Sequence, residues 1–128
     1  MRYHLDTSFL IDWRTSNPSI VALRDEITAG AHTISIDPIV QTESFAAPRI
    51  DRMYAAIYRA VLTVGALLPI TPDASMLAAS WLGPMDRIQH RAHFADALIA
   101  ATAATAGAVL VTSDRRIARV FPVAVFEY

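Results

Sequence analysis

Short apolar runs alternate with helical patterns along the whole chain. The runs are rich in Ile, Leu and Val and too short for helices, which is typical of buried strands. They lie at residues 3–5, 33–36, 67–70, 108–112 and 123–126. Because a helical segment separates each strand from the next, the pattern predicts parallel β/α units that form a three-layer α/β/α sandwich.

The helical patterns fill most of the intervals between these runs. They cover residues 9–14, 19–29, 38–47, 49–66, 72–82, 94–106 and 115–120. Asn17, Asp37 and Thr71 each precede a proline, an arrangement that favours the start of a helix. Gly83 and Pro84 break the fifth helix, and we expect residues 85–92 to be loop or frayed helix.

The composition indicates one globular domain that spans residues 1–128. The chain is 54% hydrophobic and 18% charged, so enough apolar surface is available for a core. No apolar stretch approaches the roughly 18 residues that cross a bilayer. The first residues lack a signal-peptide pattern, so we expect a cytoplasmic protein with no membrane association.

Four carboxylates stand at positions where a folded protein would ordinarily place other residues. Asp6 and Asp114 follow the first and fourth apolar runs, where ligands bind in parallel α/β sheets. Glu43 and Asp96 share their helical spacing with apolar neighbours. A buried carboxylate needs a cation, and the chain has eleven arginines, no lysine and no cysteine. Converging carboxylates suit Mg²⁺ or Mn²⁺.

Other interpretations of these acids stay open or are weaker. Asp6 and Asp114 each precede a helix, so each is equally explained as a helix cap. Capping fully accounts for Asp37 and Asp73. A zinc site at His90 and His93 is disfavoured, because the chain has neither cysteine nor an HExxH motif, and we expect both histidines in a loop.

Two further enzyme classes fit less well. A receiver-type phosphotransfer module needs a lysine, which is absent, and a dehalogenase-like phosphatase needs a second aspartate two residues after Asp6, where Ser8 stands. Without the four acids, eight carboxylates remain against eleven arginines. This balance suits a phosphate-bearing substrate.

Four motifs together resemble the PIN-domain nucleases, and among them the VapC-type toxins of bacterial toxin–antitoxin pairs. They are Asp6-Thr7-Ser8-Phe9-Leu10, Glu43, the segment 96–103 that begins at Asp96, and Leu110-Val111-Thr112-Ser113-Asp114. The resemblance covers nearly the whole chain. It departs from the family pattern at Gly83-Pro84, where a helix is usually continuous, and in the absence of lysine.

The resemblance implies a structure and a function. The expected fold is a five-stranded parallel sheet of order 3-2-1-4-5, and the expected activity is that of a Mg²⁺- or Mn²⁺-dependent endoribonuclease. Asp6, Glu43, Asp96 and Asp114 would be the catalytic residues and metal ligands. A homodimer and an antitoxin that blocks the site are also implied.

Polar neighbours of the four acids are candidates for supporting roles. Thr7, Ser8 and Thr112 are placed to orient a carboxylate or a water, although capping explains them equally well. Arg115 and Arg116 are candidates for contacts with substrate phosphate, with a solvated helix face as the alternative.

The partner and a rival function are also predicted. We expect an antitoxin to insert an arginine or lysine that pairs with Glu43, Asp96 or Asp114, and to cover an apolar face near Phe9, Leu10 and Trp13, although Trp13 fits the core equally well. The alternative function is a catalytically retired PIN-like module that binds RNA or protein.

Overall fold

A five-stranded parallel sheet forms the centre of the protein. The computed structural model describes residues 1–46 and 52–128, and for residues 52–54 it describes the backbone alone. The strands are β1 (Arg2–Leu5), β2 (Thr33–Ile36), β3 (Ala66–Leu67), β4 (Val109–Thr112) and β5 (Val125–Glu127). They lie in the order β3-β2-β1-β4-β5, and every neighbouring pair is parallel. The predicted fold class and strand order are confirmed.

Helices connect the strands and cover the sheet. In the described segments they are α1 (Thr7–Asp12), α2 (Pro18–Thr28), α3 (Pro38–Ala46), α4 (Arg52–Val64), α5 (Pro72–Leu82), α6 (Arg87–Thr105) and α7 (Arg115–Val120). The predicted caps are present, because Asn17 accepts a bond from Ser19 N and Thr71 accepts one from Ala74 N. The predicted start of the fourth helix at residue 49 lies outside the described residues. No helix in the described segments is both long and apolar enough to span a bilayer.

The sixth helix is longer than the sequence pattern predicted. Residues 87–93 form a regular part of the helix where loop or frayed helix was expected, so His90 and His93 lie on α6. The carboxylate of Asp86 accepts a hydrogen bond from Gln89 N at 2.8 Å and caps the N-terminus of α6. This first part of α6 is largely exposed and carries no apolar stripe, which explains why hydrophobic periodicity did not reveal it.

The two edge strands are shifted from their predicted positions. β3 ends at Leu67, before Pro69, which has no N–H to donate to a neighbouring strand. β5 begins at Val125, which pairs with Leu110, and not at residue 123. Each predicted run overlaps its strand, at Leu67 for β3 and at residues 125 and 126 for β5, but apolar content alone does not determine which residues pair.

The central strands hold the ends of β1 and β4 side by side. Leu5 pairs with Val111, and both side chains are fully buried. Asp6 N then donates to Val111 O at 3.1 Å, one residue beyond the end of β1. The next side chains along the two strands, Asp6 and Thr112, therefore emerge at the same edge of the sheet.

A fully buried polar network links β1, β2 and the start of α3. His4 Nε2 lies 2.8 Å from Asp37 Oδ2, and His4 Nδ1 lies 2.9 Å from Ser35 Oγ. The other oxygen of Asp37 accepts bonds from Ile39 N and Val40 N. Capping alone was therefore an incomplete account of Asp37, because this residue is also the partner of a buried histidine.

This network predicts a large difference between two aspartates that both flank a proline at a helix start. Asp37→Ala leaves His4 without its partner and α3 without its cap, so we expect it to lower the free energy of unfolding by about 3 kcal/mol. Asp73→Ala changes an exposed residue of α5, whose cap is Thr71, and should cost less than about 0.5 kcal/mol. Urea unfolding measures both, and equal losses would argue against a structural role for the network.

Candidate active site

Asp6 holds the cap position of α1, but its side chain makes no capping bond. Instead, Asp6 Oδ2 accepts hydrogen bonds from Thr112 Oγ1 at 2.7 Å and from Ser8 Oγ at 3.0 Å. The residue is only 7% exposed. The capping explanation is therefore wrong for Asp6, and two hydroxyls fix the orientation of a nearly buried carboxylate.

The same two hydroxyls bind the chain that follows β4. Thr112 Oγ1 accepts a bond from Asp114 N at 3.0 Å, and Ser8 Oγ accepts one from Ser113 N at 3.1 Å. Each hydroxyl thus donates to Asp6 and accepts from the loop that carries Asp114. This arrangement fixes the loop relative to the end of β1.

Asp114 does cap a helix, as one of its two interpretations predicted. Its Oδ1 accepts bonds from Arg116 N at 2.9 Å and Arg116 Nε at 3.0 Å, and its Oδ2 accepts one from Arg116 Nη2 at 2.8 Å. These bonds to the arginine hold the pKa of the Asp114 carboxyl below its usual range.

Asp96 has the opposite electrostatic environment. It is half-buried on α6, and burial raises the pKa of its carboxyl. The negative charges of Asp6 and Asp114 raise this pKa further, whereas His93 and Arg116 oppose them. The ionised form of Asp96 is therefore less favourable in the folded protein than in water.

Glu43 responds to the same group of charges from α3. Glu43 is an exposed residue, yet partial burial of its carboxyl among protein atoms raises the pKa of that group. The hydroxyl of Thr7 opposes this effect, and the charges of Asp6 and Asp96 add to it. Thr7 Oγ1, which lies near Glu43, is buried and makes no hydrogen bond of good geometry within the described residues. This hydroxyl can therefore still donate a hydrogen bond.

These four acids are electrostatically coupled but do not form a ready-made coordination shell. The charge of Asp6 raises the pKa of both Glu43 and Asp96, and the charge of Asp114 also raises the pKa of Asp96. Among residues 1–46 and 52–128, no three His, Asp or Glu side chains are close enough together to hold a metal ion. The donor set, carboxylates with neighbouring hydroxyls, fits a hard divalent cation in chemical type, and the mutual repulsion of the acids is what such a cation relieves.

Two neighbours of the site were not assigned to it from the sequence. His93 acts on both Asp96 and Asp114, and its ring lies 6.0 Å from that of Phe121 in an edge-on arrangement. The available signal was its position three residues before Asp96, because residues with this spacing are neighbours on a helix. The signal was not used because His93 was expected in a loop. Tyr128 packs its ring 5.6 Å from Phe9 and donates to Asp12 Oδ2, and burial raises the pKa of its phenol to about 12.

The expected partner-binding face near α1 needs correction. Phe9 and Leu10 are 0% and 1% exposed, so they belong to the core and cannot form a docking surface. Trp13 is half-buried and packs against Phe9 with ring centroids 5.5 Å apart. The helical spacing of these residues was recognised, but the direction in which that helix face points was assigned incorrectly.

Comparison with known proteins identifies the family. The family model of the PIN domain matches residues 3–121, which is nearly the whole chain. The chain belongs to the PIN-domain family. The resemblance noted from the four sequence motifs is therefore confirmed at the level of the family.

Solved structures support the same PIN fold. A chain of DNA-bound VapBC from Salmonella typhimurium matches with a TM-score of 0.75 at 18% identity, covering 99% of this chain and 98% of that one. VapBC2 from Rickettsia felis, bound to a promoter DNA fragment, matches with a TM-score of 0.72 at 18% identity and the same coverage. VapBC-1 from nontypeable Haemophilus influenzae gives 0.69 at 21% identity, again over 99% and 98%. No curated protein sequence matched the chain.

The contrasting pKa shifts predict opposite effects of two similar substitutions in metal-free protein. Because the folded-state pKa of Asp96 is raised, its contribution to stability falls as the pH rises from about 4 through that pKa. Asp96→Asn removes this loss and should raise the melting temperature at pH 7, with a gain that shrinks on acidification. Calorimetry with a chelator present measures the effect.

Asp114→Asn is the matched control. The folded-state pKa of Asp114 is lowered, so its stabilising contribution is present at pH 7 and is lost as the pH falls through that pKa. This substitution should leave the melting temperature unchanged or lower it. A lower melting temperature for Asp96→Asn at pH 7 would instead indicate that Asp96 is a structural ion-pair partner.

Proposed function

We propose that this PIN-domain protein is a VapC-type endoribonuclease toxin, one domain of residues 1–128 that hydrolyses RNA phosphodiesters in the cytoplasm with Mg²⁺ or Mn²⁺. The observation that carries the proposal is the coupling of four carboxylates around the ends of two neighbouring parallel strands. Asp6 is nearly buried there, and Glu43 and Asp96 have raised pKa values. Such groups at the carboxyl edge of a sheet are typical of a functional site.

The proposed division of roles follows from the local contacts. Asp6, Glu43, Asp96 and Asp114 would hold the cation, which when bound would act as a Lewis acid that activates water towards the phosphodiester. Ser8 and Thr112 orient Asp6 through their hydroxyls, and Thr7 supports Glu43. Arg115 and Arg116 would contact the phosphates of the RNA strand.

The buried position of Asp6 favours this function over its rival. A retired module that only binds RNA or protein has no chemical need for a nearly buried carboxylate whose charge raises the pKa of two neighbouring acids. The rival nevertheless gives a distinct experimental result, because such a module would bind RNA without cleaving it.

Cleavage of RNA tests the catalytic proposal. Purified protein should cut single-stranded RNA with Mg²⁺ or Mn²⁺ and stop when excess chelator is added. Asp6→Asn, Glu43→Gln, Asp96→Asn and Asp114→Asn should each lower kcat by about 100-fold or more, the scale of losing one transition-state contact. Thr112→Val and Ser8→Ala should lower activity by about 10- to 100-fold, because they loosen a ligand.

The controls separate chemistry from general loss of charge. Asp73→Asn removes an exposed carboxylate on α5 and should leave the rate unchanged. Undiminished cleavage in chelator would exclude the metal-dependent mechanism, and RNA binding without any cleavage would favour the retired module.

A homodimer and an antitoxin complete the proposed function. Among the solved structures that share the fold, one is a toxin–antitoxin complex and another belongs to the VapBC family of toxin–antitoxin systems, and this supports an inhibitory partner for the present chain. The excess negative charge around Glu43 and Asp96 favours insertion of a cationic side chain of that partner.

Growth of bacteria that express the protein tests the toxin proposal. Wild-type protein should slow growth, co-expression of the neighbouring antitoxin gene should restore it, and Asp6→Asn should be harmless at equal protein level. If the wild type and Asp6→Asn have equal effects on growth, the toxin assignment is wrong.

A further inference from the structure

Arg116 is already bound to one of the proposed metal ligands. Its guanidinium makes a forked contact with Asp114, through Nε to Oδ1 at 3.0 Å and through Nη2 to Oδ2 at 2.8 Å. Its backbone N adds a third bond to Oδ1. Both oxygens of Asp114 are therefore engaged by a cation that belongs to the same chain.

This contact limits how Asp114 can serve a metal ion. A carboxylate oxygen has two lone pairs, and Oδ1 already accepts two hydrogen bonds. A divalent ion on Asp114 would also lie close to the positive guanidinium, and the two cations would repel each other. Arg116 and a metal ion therefore compete for the charge of the same carboxylate.

Arg116 is free to exchange this contact for another. Its side chain is 74% exposed, whereas that of Asp114 is 26% exposed, so the arginine is the mobile partner of the pair. Its positive charge also lowers the pKa of Asp96, so the guanidinium lies close enough to interact with that carboxylate as well. A guanidinium released there can form the same forked contact with a phosphate group.

Three other arginines near the site are less well placed. Arg87 and Arg91 lie on α6, but they precede Asp96 by nine and five residues. At about 100° per residue they point roughly 180° and 140° away from Asp96 around the helix. Arg119 is exposed and lies in the last turn of α7, about one turn beyond Arg116.

We propose that Arg116 alternates between Asp114 and the substrate: it pairs with Asp114 until a divalent cation takes over this carboxylate, and then binds a phosphate of the RNA strand. This proposal rests on the metal-dependent function proposed above and assigns Arg116 two successive partners. Arg116 would thus weaken metal binding in the free protein and strengthen RNA binding when the metal is present.

Manganese affinity tests the first half of the proposal without any measurement of activity. Isothermal titration of MnCl₂ into metal-free protein should show tighter binding to Arg116→Ala than to wild type, by roughly two- to fivefold, the range for an exposed ion pair. Arg116→Lys keeps the charge but loses the fork, so it should fall between the two. Arg119→Ala removes an equal charge from the same helix and should bind as wild type does. Circular dichroism checks that all variants are folded.

RNA binding tests the second half. In stopped-flow anisotropy, which records binding before cleavage, Arg116→Ala should weaken binding of a short oligoribonucleotide in the presence of Mn²⁺. It should also reduce the slope of log affinity against log salt by about 0.7, the effect of losing one phosphate contact on a single strand. Arg119→Ala should not change this slope.

The outcomes separate this proposal from the function on which it rests. Equal Mn²⁺ affinity of wild type and Arg116→Ala, or an unchanged salt slope, would overturn the alternation of Arg116 while metal dependence stands. If neither protein binds Mn²⁺, both the metal-dependent function and the alternation are wrong.

Discussion

The hydrogen bond from Thr112 Oγ1 to Asp6 Oδ2 joins two strand ends that are 106 residues apart in the sequence, at 2.7 Å. It exists because β1 pairs with both β2 and β4, so that the first and fourth strands end next to each other. A nearly buried carboxylate is unfavourable unless donors surround it, and here the hydroxyls of Ser8 and Thr112 supply two. The same hydroxyls fix the loop that carries Asp114, so the geometry of the site depends on this junction.

The four acids occupy two different electrostatic environments. Asp114 is stabilised as an anion by Arg116, whereas burial and neighbouring charge disfavour the anions of Asp96 and Glu43. Under the proposed function, a divalent cation would favour the ionised form of all four carboxylates at once. The protein therefore gives up stability at the site that a bound ion can restore, a trade that is common in active sites.

Sequence reasoning predicted the fold correctly and singled out the four acids, because both leave strong local patterns. Short apolar runs and proline-marked helix starts predicted the strands and most helices, and Asp96 was visible as a charge among apolar neighbours. The contacts that depend on side-chain direction were not visible. The His4–Asp37 pair, the Arg116–Asp114 fork and the burial of Phe9 and Leu10 all require knowledge of which face each residue occupies. The start of α6 was missed because it is largely exposed and lacks an apolar stripe.

The central proposal is that four acids from separate parts of the fold together bind divalent metal. The most direct test is a titration of isotopically labelled protein with Mn²⁺, followed by nuclear magnetic resonance, because a paramagnetic ion broadens amide signals with a steep dependence on distance. Selective broadening at Asp6, Glu43, Asp96 and Asp114, with the amides of the exposed Asp25 and Asp73 unaffected, is the predicted result. Broadening confined to Asp25 and Asp73, or to the histidines at the start of α6, would contradict the account.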